Sequence, residues 1–327
     1  MTIPFLIPAS STPSGGTLYD LRIARAGAGL RIIRLPGAWP RPDPREVRAL
    51  ERALDLVPDG GRVLLDGLVA CALPEVIVPR AHRLRLVVLV HLPLAQESGL
   101  DPDTARDLDL RERRVLGSCA LVVATGQWAA RHLSAHHDLP RVAVVPPGVA
   151  AAPLARGTAP DRSPPRLLCV ASLTPRKGHR VLFEALEHLT DLDWECVCVG
   201  PGRPLPAPAG VRFTGPLHGA DLDAAYDRAD LLVLPSLAET YGMVVTEALA
   251  RGVPVMASAV GGVPEALGGS GISVAPGAPE EWARELRIWL SEPRTRHRWR
   301  VRARARRTEL RGWDEAARAL RHVLEQA

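Results

Sequence analysis

The chain contains no asparagine and a single lysine; of its 41 basic residues, all but Lys177 are arginine. Two absences of this kind point to a coding bias, not to chemical selection. A guanidinium serves on most surfaces, so a lone ammonium suggests a site that wants a compact point charge, as phosphate cradles do. The alternative is that one lysine survived by chance. No apolar run reaches the ~18 residues needed to cross a bilayer. The apolar start MTIPFLIP lacks a basic n-region and holds Pro4 and Pro8, so it reads as a first buried strand and not as a signal peptide. The cysteines at 71, 119, 169, 196 and 198 are odd in number and show no C-x2-C spacing. They read as reduced core residues of a cytoplasmic protein.

What is present is alternation. At 327 residues the chain has room for two domains of about 150 residues each, and strand-like runs alternate with helix-like ones, the pattern of doubly wound α/β domains. Ile3 to Ile7 precedes the loop ASSTPSGG and a helix from Thr17. Later come Val63 to Leu65, Leu84 to Val90 ending in His91, Ala120 to Ala124, and Val142 onward. An Ala/Pro/Gly/Ser-rich stretch from Ala150 to Pro165 reads as a linker. Beyond it lie the strand from Arg166, the segment SLTPRKGH, a helix from Arg180, and strands Glu195 to Val199 and Val211 to Gly215.

The most informative stretch is Leu231 to Glu265. An apolar strand breaks at Pro235-Ser236, a helix restarts near Tyr241 and stops at Gly252, and a second strand follows. Glu239 and Glu247 flank one helix N-terminus, whose free N–H groups at Tyr241, Gly242 and Met243 form a ready anion site. Carboxylates on either side of an anion site suit a ligand carrying phosphates between two hydroxyl-rich groups, such as a sugar nucleotide. The bland alternative is an amphipathic helix with two solvated acids.

With its PS turn and the G-x-P and GG-x-P-E segments that follow, this stretch resembles the E-x7-E region of glycosyltransferase family 4, retaining enzymes of the GT-B fold, and the chain is similar to actinobacterial members. The resemblance implies two Rossmann-like domains facing each other across a cleft. It assigns Glu239 to donor-sugar hydroxyls, Glu247 to the ribose, and the amides of Tyr241, Gly242 and Met243 to the distal phosphate. SLTPRKGH resembles the family's G-R-L-x-x-K-G segment, in which Arg and Lys clamp the diphosphate. Lys177 and Gly178 match it, Ser172 stands where the Arg is expected, and Arg176 is the neighbouring candidate for that charge. The turns at Gly200 and Thr214 correspond to the base pocket. Gly15 and Gly16 correspond to a glycine-rich loop at the donor diphosphate, with a plain tight turn as the alternative. His91 corresponds to a histidine meeting the donor sugar, with a capping histidine as the alternative. Thr240 departs from the usual glycine, and Pro147 and Ala150 replace the polar residues of an N-G-V-D turn.

The domains expected are 1–157 on the acceptor side, 158–310 binding the nucleotide sugar, and 311–327 as a helix returning to the first domain, with the crossing at Trp313-Asp314. By the resemblance, a hexosyl-type glycosyltransferase moves sugar from a nucleoside-diphosphate donor to an acceptor hydroxyl with retention. The catalytic residues are His91, Glu239 and Lys177. No metal and no cofactor are implied beyond the nucleoside-diphosphate sugar as co-substrate. Other readings are a weakened sugar-nucleotide-binding scaffold and a GT-B sugar-nucleotide epimerase.

Several patterns carry less. The G-x-G at Gly27 and Gly29 follows a helix, so it is no dinucleotide fingerprint. D-x-D occurs four times, at Asp101/Asp103, Asp107/Asp109, Asp191/Asp193 and Asp221/Asp223, too freely to mark a metal site. His132 and His136, with His137, could hold a metal, but no motif supplies a carboxylate, so a polar helix end is preferred. Residues 294–311 hold nine Arg and one Glu. Their spacing on a helix spreads them round every face, which favours a solvated helix over a DNA-reading surface or a flat membrane patch, with a weak contact with an anionic membrane surface as the alternative.

Overall fold

The computed structural model describes residues 2–9, 14–97, 99–158 and 164–327. Part of the ASSTPSGG loop and the centre of the expected linker lie outside these residues. The chain divides into two compact units: Met1–Gly148 with Arg311–Ala327, and Val149–Leu310.

The first unit carries strands β1 (Ile3–Pro8), β2 (Leu30–Leu35), β3 (Arg62–Asp66), β4 (Arg85–Val90), β5 (Leu121–Ala124) and β6 (Val142–Val144), and helices α1 (Gly15–Arg25), α2 (Pro44–Asp55), α3 (Gly67–Ala70), α4 (Pro74–Ile77), α5 (Pro102–Leu116) and α6 (Gln127–His137). Its sheet order is β2-β1-β3-β4-β5-β6, and every pairing is parallel. The inner strands read as unbroken Val/Leu runs because helices bury both faces of a parallel sheet. Helix starts are set by their caps. Asp43 and Glu46 form a reciprocal capping box at α2, and Asp101 accepts from the Asp103 and Thr104 amides at α5.

The second unit carries β7 (Arg166–Val170), β8 (Glu195–Val199), β9 (Val211–Gly215), β10 (Leu231–Leu234), β11 (Val255–Ser258) and β12 (Ile272–Val274). Its helices are α7 (His179–Glu187), α8 (Gly219–Asp227), α9 (Met243–Ala250), α10 (Val263–Leu267), α11 (Pro279–Ser291) and α12 (Pro293–Arg306). The order β12-β11-β10-β7-β8-β9, again all parallel, is the doubly wound order that reverses between β7 and β10. Alternation along the strands builds two cores. Leu167, Cys169, Leu231 and Val233 face one layer with Trp282 and Trp289. Leu168, Leu232 and Leu234 face the other with Val245 and Leu249. Each such fully buried Leu contributes about 2 kcal/mol. All five cysteines are free, and four are buried.

The last helix, α13 (Trp313–Glu325), belongs to the first unit. Trp313 meets Tyr19 of α1 edge-on at 5.6 Å, and Arg62 donates to the carbonyls of Glu325 and Ala327 at 3.2 Å each. The division between units falls after Gly148, ahead of the boundary expected at 157. The reason is local: Ala155 N–H donates to Arg251 O at 2.9 Å and Gly157 N–H to Asp227 O at 2.8 Å, which ties this stretch to the second sheet's helices. Asp230 reinforces it, accepting from Thr158 N–H, Thr158 Oγ1, Arg166 N–H and Arg300 Nη2.

The arginine-rich helix is less uniformly solvated than its spacing suggested. Arg300 pairs with the buried Asp230, Arg307 donates to the carbonyls of Ala250 and Ala152, and Arg296 donates to Leu290 O. Arg294, Arg298, Arg302 and Arg304 remain exposed. Among the described residues no helix is long and apolar enough to cross a membrane.

Candidate functional site

In an open parallel sheet, ligands bind beyond the carboxyl ends of the strands where the order reverses. In the second unit that point lies past Val170 and Leu234. After β7 the chain forms a tight turn, Pro175–Lys177. Gly178 then enters α7 at φ 66°, and any β-carbon there would collide with Pro235 O. Only glycine lets the two loops approach so closely. They are stitched together by Leu237 N–H donating to Arg176 O at 2.8 Å and Arg176 Nη1 donating to Ala238 O at 3.1 Å.

This stitching delivers Lys177 to Glu239. The ammonium donates to Glu239 Oε1, which also accepts from Ser236 Oγ at 2.9 Å. Lys177 and Glu239 are 15% and 10% exposed, so the pair is partly desolvated and strong. Both donors converge on Oε1, and Oε2 takes no hydrogen bond among the described residues. The arrangement stores one positive and one negative group together at the crevice. A diphosphate would compete for the ammonium, while the preset carboxylate would accept from sugar hydroxyls.

The remaining residues of the stretch need one correction. Helix α9 starts at Met243, with Gly242 as its N-cap at φ 86° and no side-chain cap, and not at Tyr241. Tyr241 and Gly242 therefore lie in the entering turn; Val245 N–H already donates to Gly242 O at 2.9 Å, so among the described residues the first-turn amides left without an intrahelical partner are those of Met243 and Val244. Glu247 accepts from Tyr226 Oη at 3.0 Å, so it is held and not merely solvated. Gly200 N–H donates to Gly215 O at 3.0 Å, and a side chain at Gly200 would collide with Ala171 O. Thr214 Oγ1 turns back to Gly215 O at 2.8 Å. Ser172 O accepts from Thr174 N–H, and its short side chain does not replace a guanidinium. Arg176 has one nitrogen committed to Ala238 O, and its buried Nε has no partner among the described residues.

The first unit has its own reversal, between β1 and β3. Gly15 and Gly16 are the first residues of α1 and not loop residues, because Ser14 caps the helix by accepting from Thr17 N–H at 3.2 Å. A β-carbon on Gly16 would sit 2.9 Å from the His91 ring, so that glycine makes room for the imidazole. His91 Nε2 lies 2.7 Å from Asp20 Oδ1 and 3.7 Å from Asp66 Oδ2. Burial pushes the Asp66 carboxyl up to about 8, with the neighbouring Asp20 charge adding to it. Burial likewise raises Asp20 and lowers His91. Asp20, Asp66 and Ser236 were not singled out from the sequence. The signal available for Asp66 was an acid closing the apolar run VLLD, and Asp20 was an acid on the buried face of a helix.

Among the described residues, three clusters bring three potential metal ligands within 4.8 Å: Asp20/Asp66/His91, Asp109/His136/His137 and Cys169/His179/Cys198. The third lies in the core under α7, where His179 Nε2 sits 3.6 Å from Cys169 Sγ.

Comparison with known proteins agrees with the architecture. Residues 164–292 match the family described as glycosyl transferases group 1. A D-inositol 3-phosphate glycosyltransferase of Streptomyces bingchenggensis is 32% identical over 286 residues, 76% of this chain and 62% of that protein. The chain spans 59% to 66% of the length of such curated relatives. Among solved structures, sucrose-phosphate synthase of Thermosynechococcus elongatus shares the fold at a TM-score of 0.79 and 17% identity, covering 99% of this chain and 98% of that one. Anabaena HepE, solved in complex with UDP-glucose, shares it at 0.76 and 19%, covering all of both chains. Two doubly wound parallel-sheet units give the chain the GT-B fold of these solved structures, and the family match across residues 164–292, which hold Lys177 and Glu239, makes the second unit similar to the group 1 glycosyl transferases.

Proposed function

We propose that the protein transfers a sugar from a nucleoside-diphosphate donor to an acceptor hydroxyl with retention of configuration. The observation that carries this reading is the Lys177–Glu239–Ser236 constellation at the reversal point of the second sheet. In the proposed step the bond from the sugar's anomeric carbon to the diphosphate breaks, and the acceptor oxygen bonds to that carbon on the same face. The acceptor proton passes to the departing diphosphate. Lys177 and the first-turn amides of α9 stabilise the charge that develops, and no metal ion is assigned to the step. Glu239 orients the sugar through Oε2, and Glu247 with Tyr226 holds the ribose. A sugar-nucleotide donor is supported by the UDP-glucose complex of the Anabaena protein. The inositol phosphate acceptor belongs to the relatives' names and is not carried over.

The test is a thermal-shift panel of UDP, GDP, ADP and their sugar conjugates on wild type and Lys177→Ala, followed by donor turnover. A shift with one nucleotide that the variant loses is expected, with turnover falling on the order of 100-fold, since one charge clamp is worth about 3 kcal/mol. No shift with any nucleotide, in protein shown to be folded, overturns the reading. Ser172 and the committed Arg176 favour a second reading, a binder with little turnover; nucleotide binding without transfer to any acceptor would select it.

A further inference from the structure

The histidines near the end of α6 lacked a carboxylate in sequence, and the fold supplies two. Helix α5 runs beside them and presents Asp109 and Glu112, one turn apart. His136 Nε2 lies 2.6 Å from Asp109 Oδ1, and His137 Nε2 lies 3.1 Å from Glu112 Oε2. The two imidazoles meet edge-to-face at 4.7 Å. Ligand atoms of Asp109, His136 and His137 all fall within 4.8 Å of one another.

We propose that this cluster is a binding site for a zinc-type divalent cation, held by Asp109, His136 and His137, with Glu112 fixing the His137 ring and water completing the coordination. Zinc–nitrogen and zinc–oxygen bonds of about 2.0–2.2 Å require ligand atoms roughly 3.3–3.6 Å apart in a tetrahedron. Small side-chain shifts from the observed distances reach that spacing. Two imidazoles with a carboxylate select zinc and its neighbours over magnesium or calcium, which take oxygen donors.

Burial divides the cluster usefully. His137 and Glu112 are essentially inaccessible, while His136 and Asp109 are 47% and 31% exposed. The ion therefore has a floor of low dielectric and an open side by which to enter. Among the described residues His137 Nδ1 is buried with no hydrogen-bond partner, an unmet polar atom on one of the proposed ligand rings. Outer contacts already set the rings. His136 stacks on His132, which stacks on Trp128, and Gln96 Nε2 is 2.8 Å from His132 Nε2. Glu112 is steadied by the Leu94 amide at 3.3 Å. Ordered second contacts of this kind typically raise metal affinity 10–100-fold. A bound ion would clamp α5 to α6, independently of the proposed sugar transfer.

The experiment uses the full chain, stripped with chelator and titrated with zinc chloride, and then with cobalt(II) as a spectroscopic probe. One equivalent is expected to bind, to raise the melting temperature, and to give cobalt d–d bands without a thiolate charge-transfer band. His136→Gln and Asp109→Asn, both at partly exposed positions that spare the fold, should each weaken binding at least 10-fold and abolish the thermal shift. No binding, binding unchanged in both variants, or a thiolate band that assigns the ion to Cys169 and Cys198 would overturn the proposal.

Discussion

Replacing Asp66 by Asn should remove a pH dependence from the stability of the first unit. The substitution preserves shape and keeps a side-chain oxygen to accept from Leu68 N–H, the cap of α3 seen at 2.6 Å. What it removes is a titration. Asp66 is raised from 3.8 to about 8, first by burial and then by Asp20. Between pH 6.5 and 8 the folded carboxyl keeps a proton that the unfolded chain has lost, so stability falls as pH rises. At about 1.4 kcal/mol per unit, tapering as the folded group ionises near 8, the loss over that interval is about 1.6 kcal/mol. Below 6.5 the depressed His91 acts in the opposite sense, destabilising the fold as pH falls, so the window above 6.5 isolates the carboxyl. Asp20 and His91 are present in both proteins and cancel to first order in the difference. Thermal melts of wild type and Asp66→Asn at pH 6.5 and 8 should therefore diverge by about 3–6 °C in favour of the variant on going to pH 8. A difference in melting temperature that stays constant across the two pH values would refute a protonated, buried Asp66.

Two further substitutions probe the second unit. Gly178→Ala places a β-carbon at φ 66° and against Pro235 O; a loss on the order of 2–3 kcal/mol is expected, read by denaturant melts, together with loss of the nucleotide thermal shift. Tyr226→Phe removes the hydroxyl that holds Glu247 while keeping the ring beneath Arg251, 4.6 Å away. Calorimetry should show about 1 kcal/mol of weakening for UDP and no change for inorganic diphosphate. Equal weakening of both ligands would remove Glu247 from ribose recognition.

The second unit was the more legible half of the chain because its strands are short, apolar and bounded by glycine and proline turns. Glu195–Val199 and Val211–Gly215 stand as read. In the first unit β2 escaped notice. LRIIRL is an edge strand whose Arg31 and Arg34 face solvent, and charged residues blunt such edges at the expense of an apolar signal. Gly15 and Gly16 resemble a loop by propensity, yet the Ser14 cap draws them into α1. The helix at Met243 starts late because Gly242 adopts a left-handed conformation ahead of it. Lys177 and Glu239 could be named individually from their motifs, but their pairing could not. They are 62 residues apart in the chain, and only the adjacency of β7 and β10 joins them. The same holds for Asp20 with His91 and for Asp109 with His136, where tertiary packing supplies the partner.

The single lysine has a practical consequence. An endoproteinase that cuts only after lysine has one target bond in these 327 residues, between Lys177 and Gly178, inside the turn that abuts Pro235. There the amides of Lys177 and Gly178 are engaged with Thr174 O and Pro175 O, and the lysine itself is committed to Glu239. Cleavage therefore requires this turn to open. The rate at which one cut yields two fragments measures how often the loop breathes, and its slowing by a bound nucleotide would report occupancy of this site without any label.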